Sequence, residues 1–136
     1  MDPKQQELQR LLVQIENLNR EREGIEGQIN VIDLGISEAE NTINTLNALK
    51  ETRVGEEILA PLGSNTFIKA KISDNEKSLV GVGADTFIEK NTSDAIEALR
   101  ARIEELLAKS SEFKKASHDL GNKIMELNKR AEGMVS

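Results

Sequence analysis

The chain has no cysteine, tryptophan or tyrosine, and its 136 residues include only three phenylalanines, two prolines and one histidine. Without cysteine, disulfides and thiolate metal sites are excluded, and the redox compartment is left open. With aromatic residues at 2% there is little material for a deep rounded core, so apolar surface must be used in another way. An excess of positive charge is also lacking: the formal net charge is −6, which argues against a general affinity for nucleic acid or anionic membrane. No apolar run approaches the ~20 residues of a membrane span, and Met1-Asp2-Pro3-Lys4 does not open a signal peptide, so a cytoplasmic location is expected.

What the chain does have is periodicity. One stretch repeats Leu8, Leu11, Ile15, Leu18, Arg22, Ile25, Ile29, Ile32, Ile36, Ala39, Ile43 and Leu46, and a second repeats Ile96, Leu99, Ile103, Leu106, Ser110, Phe113, Ser117, Leu120, Ile124, Leu127, Ala131 and Met134. Alternating steps of three and four keep one face turned toward a partner helix, which is the pattern of a coiled coil. Only Arg22 breaks the first seam, and small serines are the polar positions of the second. The spacing predicts a helix over 3–52, with Asp2 as N-cap and Pro3 at the first helical position, and another over 93–135 starting near Thr92 or Ser93.

Between them, residues 54–91 change character. Glycines, Pro61 and runs such as Thr66-Phe67-Ile68-Lys69-Ala70-Lys71-Ile72 and Ser78-Leu79-Val80-Gly81-Val82 predict four short strands, about 56–62, 66–73, 78–83 and 86–90. Turn residues at Gly63-Ser64-Asn65, Asp74-Asn75-Glu76-Lys77 and Gly83-Ala84-Asp85 make these two tandem hairpins. The expected fold is mainly α with a small β region: a single domain over 1–136, a long antiparallel two-helix coiled coil joined by the hairpins. Pairing within one chain is favoured over a parallel dimer, because the hairpin segment is compact and the helices are similar in length. So small a sheet has little core and open edges, and reads as an oligomerisation element completed by other chains.

No catalytic set is found, and no cofactor or metal is expected. His118 falls beside the seam position Ser117 and should face solvent, with none of the partners that catalysis needs. Gly81-Val82-Gly83 superficially matches a phosphate loop, but Thr86 stands where a third glycine is needed and strand residues follow. Gly24, Gly27, Gly35, Gly121 and Gly133 lie off the seam. They read either as tolerated surface positions or as softening of the helices, since each costs about 1 kcal/mol relative to alanine. Leu12, Val13, Met125 and Val135 are large apolar residues off the seam, and antiparallel pairing gathers them at one end of the coiled coil, far from the hairpins. They fit a surface for unfolded chains, with frayed ends bearing incidental apolar residues as the plain alternative. Val31 and Leu34 are off the seam in the middle of the helix and weaken the contrast.

The central block Glu57-Ile58-Leu59-Ala60-Pro61-Leu62-Gly63-Ser64-Asn65-Thr66-Phe67-Ile68-Lys69-Ala70, then Val80-Gly81-Val82-Gly83 and Phe87-Ile88-Glu89-Lys90, resembles the prefoldin family over essentially the whole chain. Two hairpins, not one, point to its alpha class. Ala84-Asp85-Thr86-Phe87 stands where members often carry more aromatic residues. The resemblance implies an ATP-independent chaperone hexamer of two alpha and four beta-type subunits. Their eight hairpins would form two closed eight-stranded barrels between subunits, with six coiled-coil arms. It further implies arm tips that hold non-native proteins and pass them to a group II chaperonin, with no enzymatic step. On this chain the expected client contacts are Leu8, Leu11, Leu12, Val13, Ile15, Ile124, Met125, Leu127, Met134 and Val135, with the seam members taking part if the tip opens. The expected oligomerisation residues are Ile58, Leu62, Phe67, Ile68, Ile72, Val80, Val82, Phe87 and Ile88. A homo-oligomeric scaffold or filament is the competing function, and a nucleic-acid clamp is disfavoured by the acidic balance.

Overall fold

The computed structural model describes residues 2–135, in the order α1 (Pro3–Lys50), β1 (Glu57–Gly63), β2 (Thr66–Lys71), β3 (Lys77–Gly83), β4 (Thr86–Asn91) and α2 (Thr92–Val135). Helix α1 starts where its capping chemistry sits. The Asp2 carboxylate accepts from Gln5 N at 2.8 Å while Asp2 N donates to Gln5 Oε1 at 3.4 Å, a reciprocal pair that satisfies free amides of the first turn. The helix ends at Lys50, two residues before the expected limit. There Glu51 N and Thr52 N donate to Ala48 O and Leu49 O over three residues, and the Thr52 hydroxyl also donates to Leu49 O, which tightens the chain out of the helix.

The chain comprises two compact units. The first contains the described residues up to Ile36 and from Glu105 onward. In it the two helices run antiparallel, and the seam forms a buried core of Leu11, Ile15, Ile124, Leu127 and Ala131, flanked by Leu8, Leu18 and Met134. Leu127 is 1% exposed, the most enclosed large side chain among the described residues. Further along the same seam, Ile32, Ile36 and Leu106 are buried. Between these groups lies a polar layer. Arg22 Nε donates to Ser117 Oγ at 3.2 Å and faces Glu26 Oε1 at 3.4 Å, while Ser117 Oγ donates to Glu26 Oε1 at 3.3 Å. Ser110 Oγ donates to Asp33 Oδ1 at 3.4 Å one step further on. Polar residues at seam positions lower stability but fix which residues face each other.

The second unit is Ser37–Glu104. Ala39, Ile43, Ala95 and Ile96 are buried in it, and so is Thr92 at the start of α2. Strand β4 runs into α2 without a loop, and the junction is tied by hydrogen bonds: Thr92 N to Glu76 O at 2.7 Å, the Ser78 and Thr92 hydroxyls at 2.9 Å, and Lys50 Nζ to Ser93 Oγ at 3.1 Å. Asn75 Nδ2 donates to Thr52 O at 2.6 Å, so the β2–β3 connection satisfies a carbonyl freed where α1 ends.

The strands form two separate two-stranded antiparallel sheets, β1 with β2 and β3 with β4. Their registers are the same after a shift of 20 residues: Glu57 lies opposite Lys71 and Lys77 opposite Asn91, and so on through Pro61 with Phe67 and Gly81 with Phe87. Each ladder is interrupted just before its turn, at Pro61/Gly63 and Gly81/Gly83. Each turn then places two residues in the left-handed region, Ser64 and Asn65 (φ 48° and 58°) or Ala84 and Asp85 (φ 49° and 57°), after a glycine at φ 101° or 103°. Two consecutive left-handed residues match the right-handed twist of the strands, which is why such turns close hairpins. Sequence repeats with geometry: Leu59, Gly63, Thr66, Phe67 and Ile68 recur as Leu79, Gly83, Thr86, Phe87 and Ile88.

Candidate interaction surfaces

A strand pair buries little by itself. Alternation places Ile58, Ala60, Ile68 and Ala70 on one face of the first hairpin and Glu57, Leu59, Pro61, Phe67, Lys69 and Lys71 on the other. Because each sheet has only two strands, the outer edges of β1, β2, β3 and β4 carry unpaired backbone groups. Six of the nine expected oligomerisation residues, Leu62, Phe67, Ile68, Val82, Phe87 and Ile88, are exposed, and Ile58, Ile72 and Val80 are half-buried. Two more were missed. Leu59 and Leu79, equivalent in the repeat, are also open to solvent, Leu79 at 72% and its neighbour in the ladder face, Phe87, at 66%. The 20-residue recurrence of Leu-x-x-x-Gly-x-x-Thr-Phe-Ile was the signal that would have found them.

The glycine pair of the second hairpin is strand and turn. Gly81 lies under the Phe87 ring, whose Cε1 would stand 3.4 Å from a Cβ at that position, and Gly83 supplies the positive φ before the turn. His118 is exposed on α2. No group of His, Cys, Asp and Glu suited to hold a metal occurs among the described residues, and no helix among them is long and apolar enough to cross a membrane.

The joined helix ends carry a second surface. Leu12, Val13, Met125 and Val135 are exposed, Val135 at 69%. Leu8 and Met134 are half-buried. The other four residues expected to contact clients, Leu11, Ile15, Ile124 and Leu127, form the core beneath, so with the helices paired they are structural and offer no surface. The reason lies in the seam: these four hold inward-facing positions, and the residues beside them in sequence point out. Leu107 is exposed off the seam of α2 and was not anticipated, whereas Val31 and Leu34 are exposed as their off-seam positions require.

The helix glycines divide. A Cβ on Gly24 or Gly27 would meet open space, so these are surface positions. A Cβ on Gly121 would stand 2.9 Å from Cζ, Nη1 and Nη2 of Arg22, so this glycine is the notch that admits the guanidinium of the polar layer.

The family model for Prefoldin, described as "Prefoldin subunit", matches residues 14–135. The prefoldin subunit alpha of Methanococcus aeolicus is 31% identical over 137 residues, which is 96% of this chain and 93% of the relative. That of Methanopyrus kandleri is 34% identical over 102 residues, 75% of this chain and 65% of the relative. Among solved structures, the filamentous PFD of Methanocaldococcus jannaschii, seen by cryo-electron microscopy, is similar with a TM-score of 0.74 and 26% identity, covering 83% of this chain and 93% of that one. The crystallised prefoldin beta subunit of Thermococcus strain KS-1 shares the fold at a TM-score of 0.61 and 15% identity, over 93% of this chain and 90% of that one.

Proposed function

The chain belongs to the prefoldin family as an alpha-type subunit, and from that premise we propose that it is one of two alpha subunits joined with four beta-type subunits in a cytoplasmic, ATP-independent holding chaperone. The hairpins enter intersubunit barrels, where neighbouring strands take up the open edges and cover Phe67, Leu59 and their repeat partners. The helix ends capture non-native proteins and deliver them to a group II chaperonin, without an enzymatic step.

The observation that carries the reading is apolar side chains left open around a closed core: Leu12, Val13, Met125 and Val135 face solvent while the seam beneath them is packed. A side chain of this size contributes at most roughly 1.5–3 kcal/mol when covered, so one coiled coil holds a client weakly and reversibly. Several such ends around one client raise the effective concentration and give useful avidity, yet each contact still releases without nucleotide. Met125 adds a flexible, adaptable contact suited to varied sequences. The test replaces Leu12, Val13, Met125 and Val135 together by serine. Suppression of aggregation of a denatured client should drop severalfold while native mass spectrometry still finds the intact assembly. Undiminished suppression would remove the helix ends from the mechanism.

A second reading, a homo-oligomeric scaffold or filament without client transfer, is favoured by the open strand edges and by similarity to the filamentous PFD of Methanocaldococcus jannaschii. It predicts extended polymers of this chain alone and no suppression of aggregation.

A further inference from the structure

The two hairpins are alike in shape, and at two equivalent positions their charges are reversed. Twenty residues separate equivalent positions, and across that interval Glu57 becomes Lys77 and Lys69 becomes Glu89, while Leu59, Phe67 and Ile68 recur unchanged as Leu79, Phe87 and Ile88. All four charged residues lie on the same face of their hairpins, the face that also carries Leu59 or Leu79. In the first hairpin Lys69 Nζ and Glu57 Oε1 stand 4.0 Å apart. We propose that, in the absence of other subunits, these charges direct each hairpin to the same hairpin of a second copy of this chain, first to first and second to second, and against crosswise pairing. The inference rests on the reading of the hairpins as oligomerisation elements and specifies the partner that each edge accepts.

One hairpin can add to the edge of another with its turn at the same end. In that arrangement the outer edge of β2 meets β1 or β3 of the neighbour, and the outer edge of β4 meets β3 or β1. First to first, Lys69 and Lys71 of β2 meet Glu57 of the neighbour's β1. Being two residues apart on one face, these lysines keep an ammonium opposite the carboxylate even if the register slips by two. Second to second, Asn91 of β4 lies level with Lys77 of the neighbour's β3, and Glu89, two residues away on the same face, stands diagonal to that ammonium. Crosswise, Lys71 lies level with Lys77 and Lys69 diagonal to it, while Glu89 stands diagonal to Glu57, so both junctions bring like charges near each other. On the other face, Lys90 of β4 meets Ser78 or Ile58, uncharged in either case, and adds no preference. On the charged face Leu59 and Phe67 are matched by Leu79 and Phe87 in either arrangement, so there it is charge that separates the two.

The chain itself supplies a second observation. Residues 72–76 join β2 to β3 by a connection of ordinary hairpin length, so folding β3 onto the free edge of β2 is the nearest strand addition available. That junction is crosswise, and it is not formed: the strands stay in two separate sheets. A head-to-tail contact between like hairpins has no such neighbour in its own chain, and it either closes into a ring of copies or runs on as an open assembly.

Because the chain has no cysteine, single cysteines report the pairing directly. Purified full-length chain bearing Ala70→Cys on β2 is mixed with copies bearing either Ile58→Cys on β1 or Ser78→Cys on β3, and a short bis-maleimide is added. Adducts of 70 with 58 should exceed those of 70 with 78 by about fivefold or more at low salt. The excess should shrink at ~1 M salt, where charges are screened within about 3 Å. Combining Lys77→Glu with Glu89→Lys gives the second hairpin the charges that the first carries at Glu57 and Lys69, and adducts of 70 with 78 should then rise to match. Equal yields in the natural chain, a crosswise excess, abundant 70 to 70 adducts or no adducts at all would each overturn the proposal. Native mass spectrometry of the same chain mixed with beta-type subunits separates the two levels: a mixed assembly without like-hairpin adducts rejects this pairing rule and leaves the hub reading standing.

Discussion

Replacing Gly121 by alanine puts a methyl group where Arg22 lies, and the outcome separates a glycine that makes room from one that is merely tolerated. In an exposed helix interior Gly→Ala stabilises by about 0.5–1 kcal/mol, because the chain loses less backbone freedom on folding. At Gly24 and Gly27 nothing stands within 4 Å of the new Cβ, so that full gain should appear. At Gly121 three guanidinium atoms stand at 2.9 Å, so Arg22 must swing away and give up its hydrogen bond to Ser117. The Arg22 side chain is 39% exposed, so solvent recovers much of its lost interaction, and a cost of about 0.5–1 kcal/mol is appropriate for a partly screened charged hydrogen bond. Gain and cost cancel, and Gly121→Ala should be nearly neutral. In an Arg22→Ala background the conflict is gone and the same change should stabilise by about 0.5–1 kcal/mol, a coupling of that size in a double-mutant cycle. Thermal unfolding at fixed protein concentration and fixed assembly state reads the difference, at a few °C per kcal/mol. If Gly121→Ala stabilises as much as Gly24→Ala whether or not Arg22 is present, the guanidinium does not use this notch and the polar layer does not set the register.

Two further outcomes follow from packing and backbone geometry. Leu127→Ala empties the most enclosed position of the seam and should lower stability by about 2–5 kcal/mol in chemical denaturation, while Leu107→Ala, on an exposed side chain, should change it by less than about 0.5 kcal/mol. Ala84 holds φ 49°, a left-handed conformation that costs a residue with a Cβ about 1–2 kcal/mol, so Ala84→Gly should raise the unfolding midpoint whereas Ala84→Val should lower it.

The helices were legible because the heptad pattern is a direct consequence of packing two cylinders along one stripe. Every seam residue from Leu8 to Leu46 and from Ile96 to Met134 is buried or half-buried, and the off-seam Leu12, Val13, Val31, Leu34, Met125 and Val135 are exposed. Periodicity also isolated Arg22 as the one charged interruption, but it said nothing of how that charge is housed. The notch at Gly121 depends on two residues 99 positions apart in sequence being brought face to face, which requires the antiparallel alignment itself. The hairpins were legible from β-branched residues and turn chemistry, with ends within two residues of those found. Leu59 and Leu79 were missed because residues were chosen one by one, when the 20-residue recurrence treats them as a pair. For the helix ends the periodicity already divided the apolar residues: Leu12, Val13, Met125 and Val135, off the seam, are open, while Leu11, Ile15, Ile124 and Leu127, expected to take part only if the tip opens, close the core.

Native mass spectrometry of the tagged chain, recovered from its own cells under mild conditions, tests most directly whether this alpha-type subunit has its hairpins completed by other subunits. Two copies of this chain bound to four of a smaller coiled-coil subunit is the predicted result. A homo-oligomer or an open-ended polymer of this chain alone would contradict it.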